Sequence, residues 1–273
     1  MTTQIEPQDL HRLIQAGSVK VIDGSWALDG TDMHSLYLRD HIPGAVFFHI
    51  EAISDRSVPL PHMAPTPEVF ASAVGRMGIT PGDRVVVYDR QGLFSAARVW
   101  WTFRLMGHER VQVLKGGLPA WTNAGLPVTD ALPTVVATIY TPNAQPDMVI
   151  DLNGLKAELQ STVVLDARPA ARFYAQAPEP RAGLRSGHMP GAQSLPSAAL
   201  IRDGALKPVA ELRDIFDGRG VASGKPVVTT CGSGVTAAII SIGLEEAGYT
   251  GARLYDGSWA EWGQATLDTP VVS

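Results

Sequence analysis

Cysteine is almost absent from this chain of 273 residues: there is one, Cys231. A single thiol cannot close an internal disulfide, so it is either a small buried apolar residue or a reactive group. Long apolar runs are missing too. No stretch approaches the roughly 18 residues that would span a bilayer, which excludes a helical membrane protein. The start, MTTQIEPQDLHRLIQAG, lacks the basic and apolar pattern of a secretory signal, so a cytoplasmic protein is expected. An excess of positive charge is lacking as well: 22 Lys and Arg face 27 Asp and Glu, for a net charge of −5. Without a clustered basic surface, nucleic acid is not expected as a partner, whereas a small anion remains open. The seven histidines show no HxH or HxxxH spacing and no cysteine pair exists, so no metal is expected. Neither a P-loop nor a dinucleotide fingerprint is present, so no dissociable cofactor is expected.

What the chain does have is internal repetition. HIPGAVFF at 41–48 matches HMPGAQSLP at 188–196, and VKVIDGSW matches TVVLDARP, each a β-branched run closing on aspartate, Asp23 or Asp166. RVVVYDRQGLFSAARVWW from Arg84 matches KPVVTTCGSGVTAAIISI from Lys225, and VLKGGLPAW matches LYDGSWAEW. The four pairs keep one order at offsets of roughly 140 residues, the signature of a tandem duplication. The expected domains are 1–130 and 149–273, joined by a linker at 131–148 within TDALPTVVATIYTPNAQPDM, a Pro- and Thr-rich stretch read as partly extended. In the second half TVVLDA and PVVTTC read as buried strands, while ELRDIFDGRG and GVTAAIISIGLEEAG have helical spacing and end at glycine. Strands alternating with helices predict an α/β fold in each half, with a mostly parallel sheet flanked by helices and ligands beyond the carboxyl ends of the strands.

Cys231 then lies in a strand-to-helix turn, TTCGSGVTA. Gly232 and Gly234 would let successive N–H groups turn inward as an anion nest, and the following helix adds the positive end of its dipole. Both favour an anion on sulfur. The alternative is a buried cysteine at a tight turn, with Ser233 and Thr236 as helix caps. His41 and His188 sit in repeated H-x-P-G-A turns and read as structural, each bonding nearby backbone; Asp166 and Arg168 also read as scaffold.

CGSGVTA resembles the active-site loop of the rhodanese superfamily, and the whole chain is similar to its tandem-domain sulfurtransferases, especially the 3-mercaptopyruvate sulfurtransferases. HIPGA, SDRSVPLPHM, LFSAARVWW, EPR, HMPGA and YDGSW carry the resemblance over nearly the full length. It implies two rhodanese-like domains, the first non-catalytic and the second catalytic. Aligning Trp121 with Trp262 sets Arg90 opposite Cys231, so the first loop is expected to lack a nucleophile and to close the cleft over the other loop. The resemblance further implies that Cys231 carries a persulfide, that Gly232, Gly234 and Val235 of the loop contact substrate, and that Arg172 and Arg181 hold a donor carboxylate and keto oxygen. Outside that resemblance both arginines read equally as ion pairs, with Glu179 or another carboxylate. Arg185 is a third candidate. Ser233, with Thr236 nearby, would polarise the reacting group and pass a proton to His62, with Glu51, or neighbouring Asp55, as acidic partner; a Pro-rich-loop histidine reads equally as a surface residue.

The neutral loop suits a donor whose charge lies away from its sulfur, as in 3-mercaptopyruvate, over compact dianionic thiosulfate. The expected acceptor is thioredoxin or a low-molecular-weight thiol, or cyanide in vitro. A thiosulfate sulfurtransferase and a non-enzymatic rhodanese-like binding module remain alternatives. A cysteine phosphatase is disfavoured, because the position six after the cysteine, where an arginine would bind phosphate, is Ala237.

Overall fold

The β-branched runs form the central strands of two sheets, because valine and isoleucine suit a pleated surface that is covered on both faces. The computed structural model describes residues 2–273. In the first half the elements run β1 (Gln4–Ile5), α1 (Pro7–Gln15), β2 (Lys20–Asp23), α2 (Met33–Arg39), β3 (Ala45–Phe47), α3 (Pro67–Arg76), β4 (Val85–Tyr88), α4 (Ala96–Leu105), β5 (Val111–Leu114) and α5 (Gly117–Asn123). The second half runs β6 (Val149–Ile150), α6 (Leu152–Glu158), β7 (Val163–Asp166), α7 (Ala170–Phe173), β8 (Gln193–Ser194), β9 (Ile201–Arg202), β10 (Ala205–Leu206), α8 (Val209–Asp217), β11 (Val227–Thr230), α9 (Ala237–Ala247), β12 (Arg253–Tyr255) and α10 (Ser258–Trp262).

The sheet orders are β1-β5-β4-β2-β3 and β6-β12-β11-β7-β8, and β9 and β10 pair separately. Every neighbouring pair in both five-stranded sheets is parallel. The two topologies are therefore one topology used twice. Each buries its own apolar centre: Val21, Val86, Leu114 and Trp121 in one, Val164, Val228, Tyr255 and Trp262 in the other. Trp121 and Trp262 even repeat a bond, from indole N–H to the carbonyl of Pro127 and of Pro270.

The chain divides into two compact units that are not contiguous in sequence. Residues 1–55, 64–145 and 202–206 form one, and 56–63, 146–201 and 207–273 the other. The Pro- and Thr-rich stretch is anchored rather than loose as far as Gln145, because Tyr140 buries its ring against Phe70 and His108. That burial pushes the Tyr140 phenol up to about 12. Thr138 adds bonds to the carbonyls of Gly75 and Ile79. The repeated turns hold as read: Gly44 and Gly191 have φ of 80° and 75°, and His41 and His188 bond the carbonyls of Tyr37 and Phe173. No helix among the described residues is long and apolar enough to cross a membrane.

Candidate active site

At the carboxyl end of β11, residues 231–236 turn the chain into α9. Ala-Ala-Ile-Ile then starts a helix whose first four residues are buried and whose positive dipole end faces this loop. The thiol of Cys231 is buried, at 2% exposure. Its backbone is held from α10: Trp259 N–H donates to the Cys231 carbonyl and Ala260 N–H to that of Gly232, both at 2.9 Å. The two loop glycines do different jobs. Gly234 has φ of 80° and supplies the left-handed residue of the turn, as read from the sequence. Gly232 does not have positive φ; what sets it apart is close packing, since a Cβ there would lie 3.1 Å from Arg172 Nη2 and the guanidinium would have to shift by a few tenths of an ångström. The reading of Ser233 and Thr236 as helix caps is also corrected. Thr236 occupies the cap position with helical backbone angles and no side-chain cap bond, while Ser233 turns its hydroxyl elsewhere.

That hydroxyl meets two candidate residues. His62 Nδ1 lies 3.1 Å from Ser233 Oγ, and Arg181 Nη2 donates to the same oxygen at 3.4 Å. His62 comes from the sequence's first half, yet residues 56–63 cluster with the second unit. It is 6% exposed and adopts φ of 59°, an unusual backbone state for a residue with a side chain. A surface histidine is thereby excluded.

Arg172 reaches the loop through α7. Its guanidinium lies against Gly232, its Nη2 pairs with Glu179, and its buried Nε lacks a hydrogen-bond partner. The ion pair with Glu179 and the approach to the loop are thus both present. Glu179 is itself held by Arg168 Nη1 at 2.7 Å, and Arg168 pairs with Asp166 at 2.7 Å. Burial opposes the Arg168 charge, but Asp166 and Glu179 outweigh it and raise its pKa above the usual value. Arg168 also lies over the Trp259 ring, 4.1 Å from its centroid. A row of alternating charges therefore runs from the end of β7 to the loop. Sequence reasoning named Glu179 as an ion-pair partner of these arginines, as found for Arg172, and missed its second bond, to Arg168. Arg185 is directed elsewhere, onto the carbonyls of Trp262, Gly263 and Thr269.

Glu51 and Asp55 belong to the first unit, where Glu51 Oε1 accepts from the Trp26 indole N–H at 3.0 Å. The residue that takes the place of Cys231 there is corrected by strand register. Tyr88 pairs with Asp23 as Thr230 pairs with Asp166, so Asp89, not Arg90, follows the equivalent strand. The carbonyl of Asp89 accepts from Leu118 N–H as that of Cys231 accepts from Trp259. The loop of the first unit is one residue longer, which misled an alignment anchored on the tryptophans. Arg90 instead bonds Asp40 and the Leu36 carbonyl.

Two stretches, residues 6–124 and 151–265, match the rhodanese-like domain. The 3-mercaptopyruvate sulfurtransferase of Escherichia coli is 44% identical over 258 residues, covering 93% of this chain and 92% of the relative. The mitochondrial thiosulfate/3-mercaptopyruvate sulfurtransferase 1 of Arabidopsis thaliana is 40% identical, covering 97% of this chain and 76% of the relative. Among solved structures, the 3-mercaptopyruvate sulfotransferase SseA from Escherichia coli superimposes with a TM-score of 0.83 at 40% identity, covering 95% of this chain and 99% of that one.

Proposed function

The chain belongs to the rhodanese-like family, and on that footing we propose that it is a 3-mercaptopyruvate sulfurtransferase whose second domain, 149–273, is catalytic and whose first, 1–130, is not. The observation that carries the choice of donor is the meeting of two arginines with an otherwise neutral loop, Arg172 at Gly232 and Arg181 at Ser233. A planar guanidinium fork suits a carboxylate and its neighbouring keto oxygen. The buried Nε–H of Arg172 gains a partner when such an anion binds, which removes the cost of an unmade bond.

The Cys231 thiolate attacks the sulfur of 3-mercaptopyruvate. The carbon–sulfur bond breaks, its electron pair leaves with carbon as the enolate of pyruvate, and the outer sulfur stays on Cys231 as a persulfide. Arg172 and Arg181 offset the charge on the departing enolate. Ser233, bonded to His62, passes the proton that converts the enolate to pyruvate, a step of general acid–base type contributing about 10²–10⁴-fold. The loop around Gly232, Gly234, Val235 and Thr236 holds first the thiolate and then the persulfide, with oxyanion-hole logic applied to sulfur. An acceptor thiolate, from thioredoxin or a small thiol in the cytoplasm, then attacks the outer sulfur, carries it away and regenerates the Cys231 thiolate.

Intact mass after brief exposure to 3-mercaptopyruvate or thiosulfate tests this, because one cysteine makes the assignment of added sulfur unambiguous. The expected result is a one-sulfur adduct formed faster from 3-mercaptopyruvate, lost on thiol addition and absent in Cys231→Ser. Faster loading from thiosulfate would transfer the assignment to that donor, and no loading from either would overturn the reading.

A further inference from the structure

Ser258 is an anomaly of backbone conformation. It has φ of 51°, a left-handed state that costs a residue with a Cβ, and it is fully buried. The duplicated copy shows the cheaper solution at the same place: Gly117, at the start of α5 as Ser258 starts α10, has φ of 54°. In the first unit a side chain there is impossible, because a Cβ on Gly117 would run into the carbonyl of Asp89. In the second unit the space is used.

What occupies it is a hydroxyl that bonds the residue bearing the thiol. Ser258 Oγ donates to the Tyr255 carbonyl at 2.9 Å, which aims its lone pairs, and accepts the Cys231 N–H at 3.3 Å. Together with Trp259 N–H on the Cys231 carbonyl, α10 then grips this residue by both backbone groups. The first unit has the carbonyl half of the grip, Leu118 N–H on Asp89, and no side chain at Gly117 to make the other half. A strained serine thus stands where glycine is conformationally better, and its hydroxyl returns two bonds, one to the Tyr255 carbonyl and one from the Cys231 N–H.

We propose that Ser258 is a positioning residue for sulfur transfer: its hydroxyl fixes the Cys231 backbone and hence the line along which Sγ meets a sulfur donor. The inference rests on Cys231 being the sulfur carrier. It concerns attack, not donor binding, because Arg172 and Arg181 stand on other segments. Ser258→Gly therefore relaxes the backbone and removes both hydroxyl bonds at once, the one to Cys231 included.

The expected outcome for Ser258→Gly is a urea midpoint equal to or above wild type, with kcat for pyruvate release from 3-mercaptopyruvate lowered about fivefold to tenfold, the worth of one hydrogen bond, and KM unchanged. Ser258→Ala, which keeps the strained backbone without the hydroxyl, is expected to lose kcat equally. Alkylation of Cys231 by iodoacetamide, followed by mass at fixed pH, should slow in both variants. Alkylation needs no sulfur donor, so it still tests Ser258 if wild type loads from neither donor and the proposed activity itself falls. Wild-type kcat and alkylation rate in whichever variant folds would overturn the inference, as would a loss of activity matched by the unfolded fraction.

Discussion

At the carboxyl end of β4 the first unit carries Asp89, and at the carboxyl end of β11 the second carries Cys231, on loops that share a strand register and a helix start. The Asp89 carboxylate accepts three backbone N–H bonds, from Gln91, Phe94 and Ala96, each at 2.8 Å. The first loop is a nest for an anion, and the chain fills it with its own. Register and helix start match those donors with the N–H groups of Ser233, Val235 and Ala237 in the second loop, where Cys231 stands in the place of Asp89. Further backbone closes over the first loop: Gly92, with φ of 105°, packs on Gly204 so tightly that a Cβ would lie 2.7 Å from its Cα. The same strand-to-helix turn thus closes on its own carboxylate in one unit and carries a buried thiol in the other.

Exchanging the residue at that position breaks the comparison most directly. Cys231→Asp gives the second loop the first loop's occupant, and the expected result is complete loss of sulfur loading by mass, with a urea-derived stability within about 1 kcal/mol of wild type, because a carboxylate replaces the anion for the same donors. A collapse in stability would show that the second loop cannot hold a carboxylate as the first does. Next in size is Asp89→Ala, which leaves three backbone donors without their acceptor, that of Ala96 buried and those of Gln91 and Phe94 partly so. It is expected to cost about 3 kcal/mol in urea unfolding, since charge-assisted bonds contribute about 1.5–3 kcal/mol each and some donors find water. Full stability in this variant would refute the nest.

The smallest effect sharpens the contrast at Asp23 and Asp166, which end equivalent strands. Asp166 has Arg168 beside it, whereas the equivalent neighbour of Asp23 is Ser25. Burial therefore raises the Asp23 pKa above the usual carboxylate value, against the lowering effect of its Ser25 bonds. A carboxyl whose folded pKa exceeds its unfolded value, about 3.9, stabilises the fold fully below that value and loses the contribution as pH rises through the folded value. Urea midpoints of wild type and Asp23→Asn, measured from acid to neutral pH, should move apart over that window, with wild type losing ground as pH rises. Parallel curves would show that Asp23 ionises alike in both states.

Much of the fold was legible because its signals are local and repeated. Two sets of β-branched runs, each closing on a polar residue, and helices ending at glycine place the strands to within a residue or two. Trp121 and Trp262 look alike in sequence because each closes an identical core corner. The helix read at 211–220 begins earlier, at Val209, since Pro208 fits the residue before a first turn and the apolar face starts there.

By itself the sequence determined the duplication, the parallel α/β architecture, the single thiol and its place between a strand and a helix, because periodicity and glycine placement act over a few residues. Only the tertiary structure decided which side chains share that loop. Register, a property of paired strands, made Asp89 rather than Arg90 the counterpart of Cys231. Close packing against a guanidinium, not a left-handed backbone, is what marks Gly232. Ser258 and Glu179 gained their places through contacts with residues 27 and 7 positions away in the chain, and His62 lies 171 positions from the serine it bonds. Such distances are closed by burying apolar surface around two separate sheets, a collective effect that no local pattern encodes.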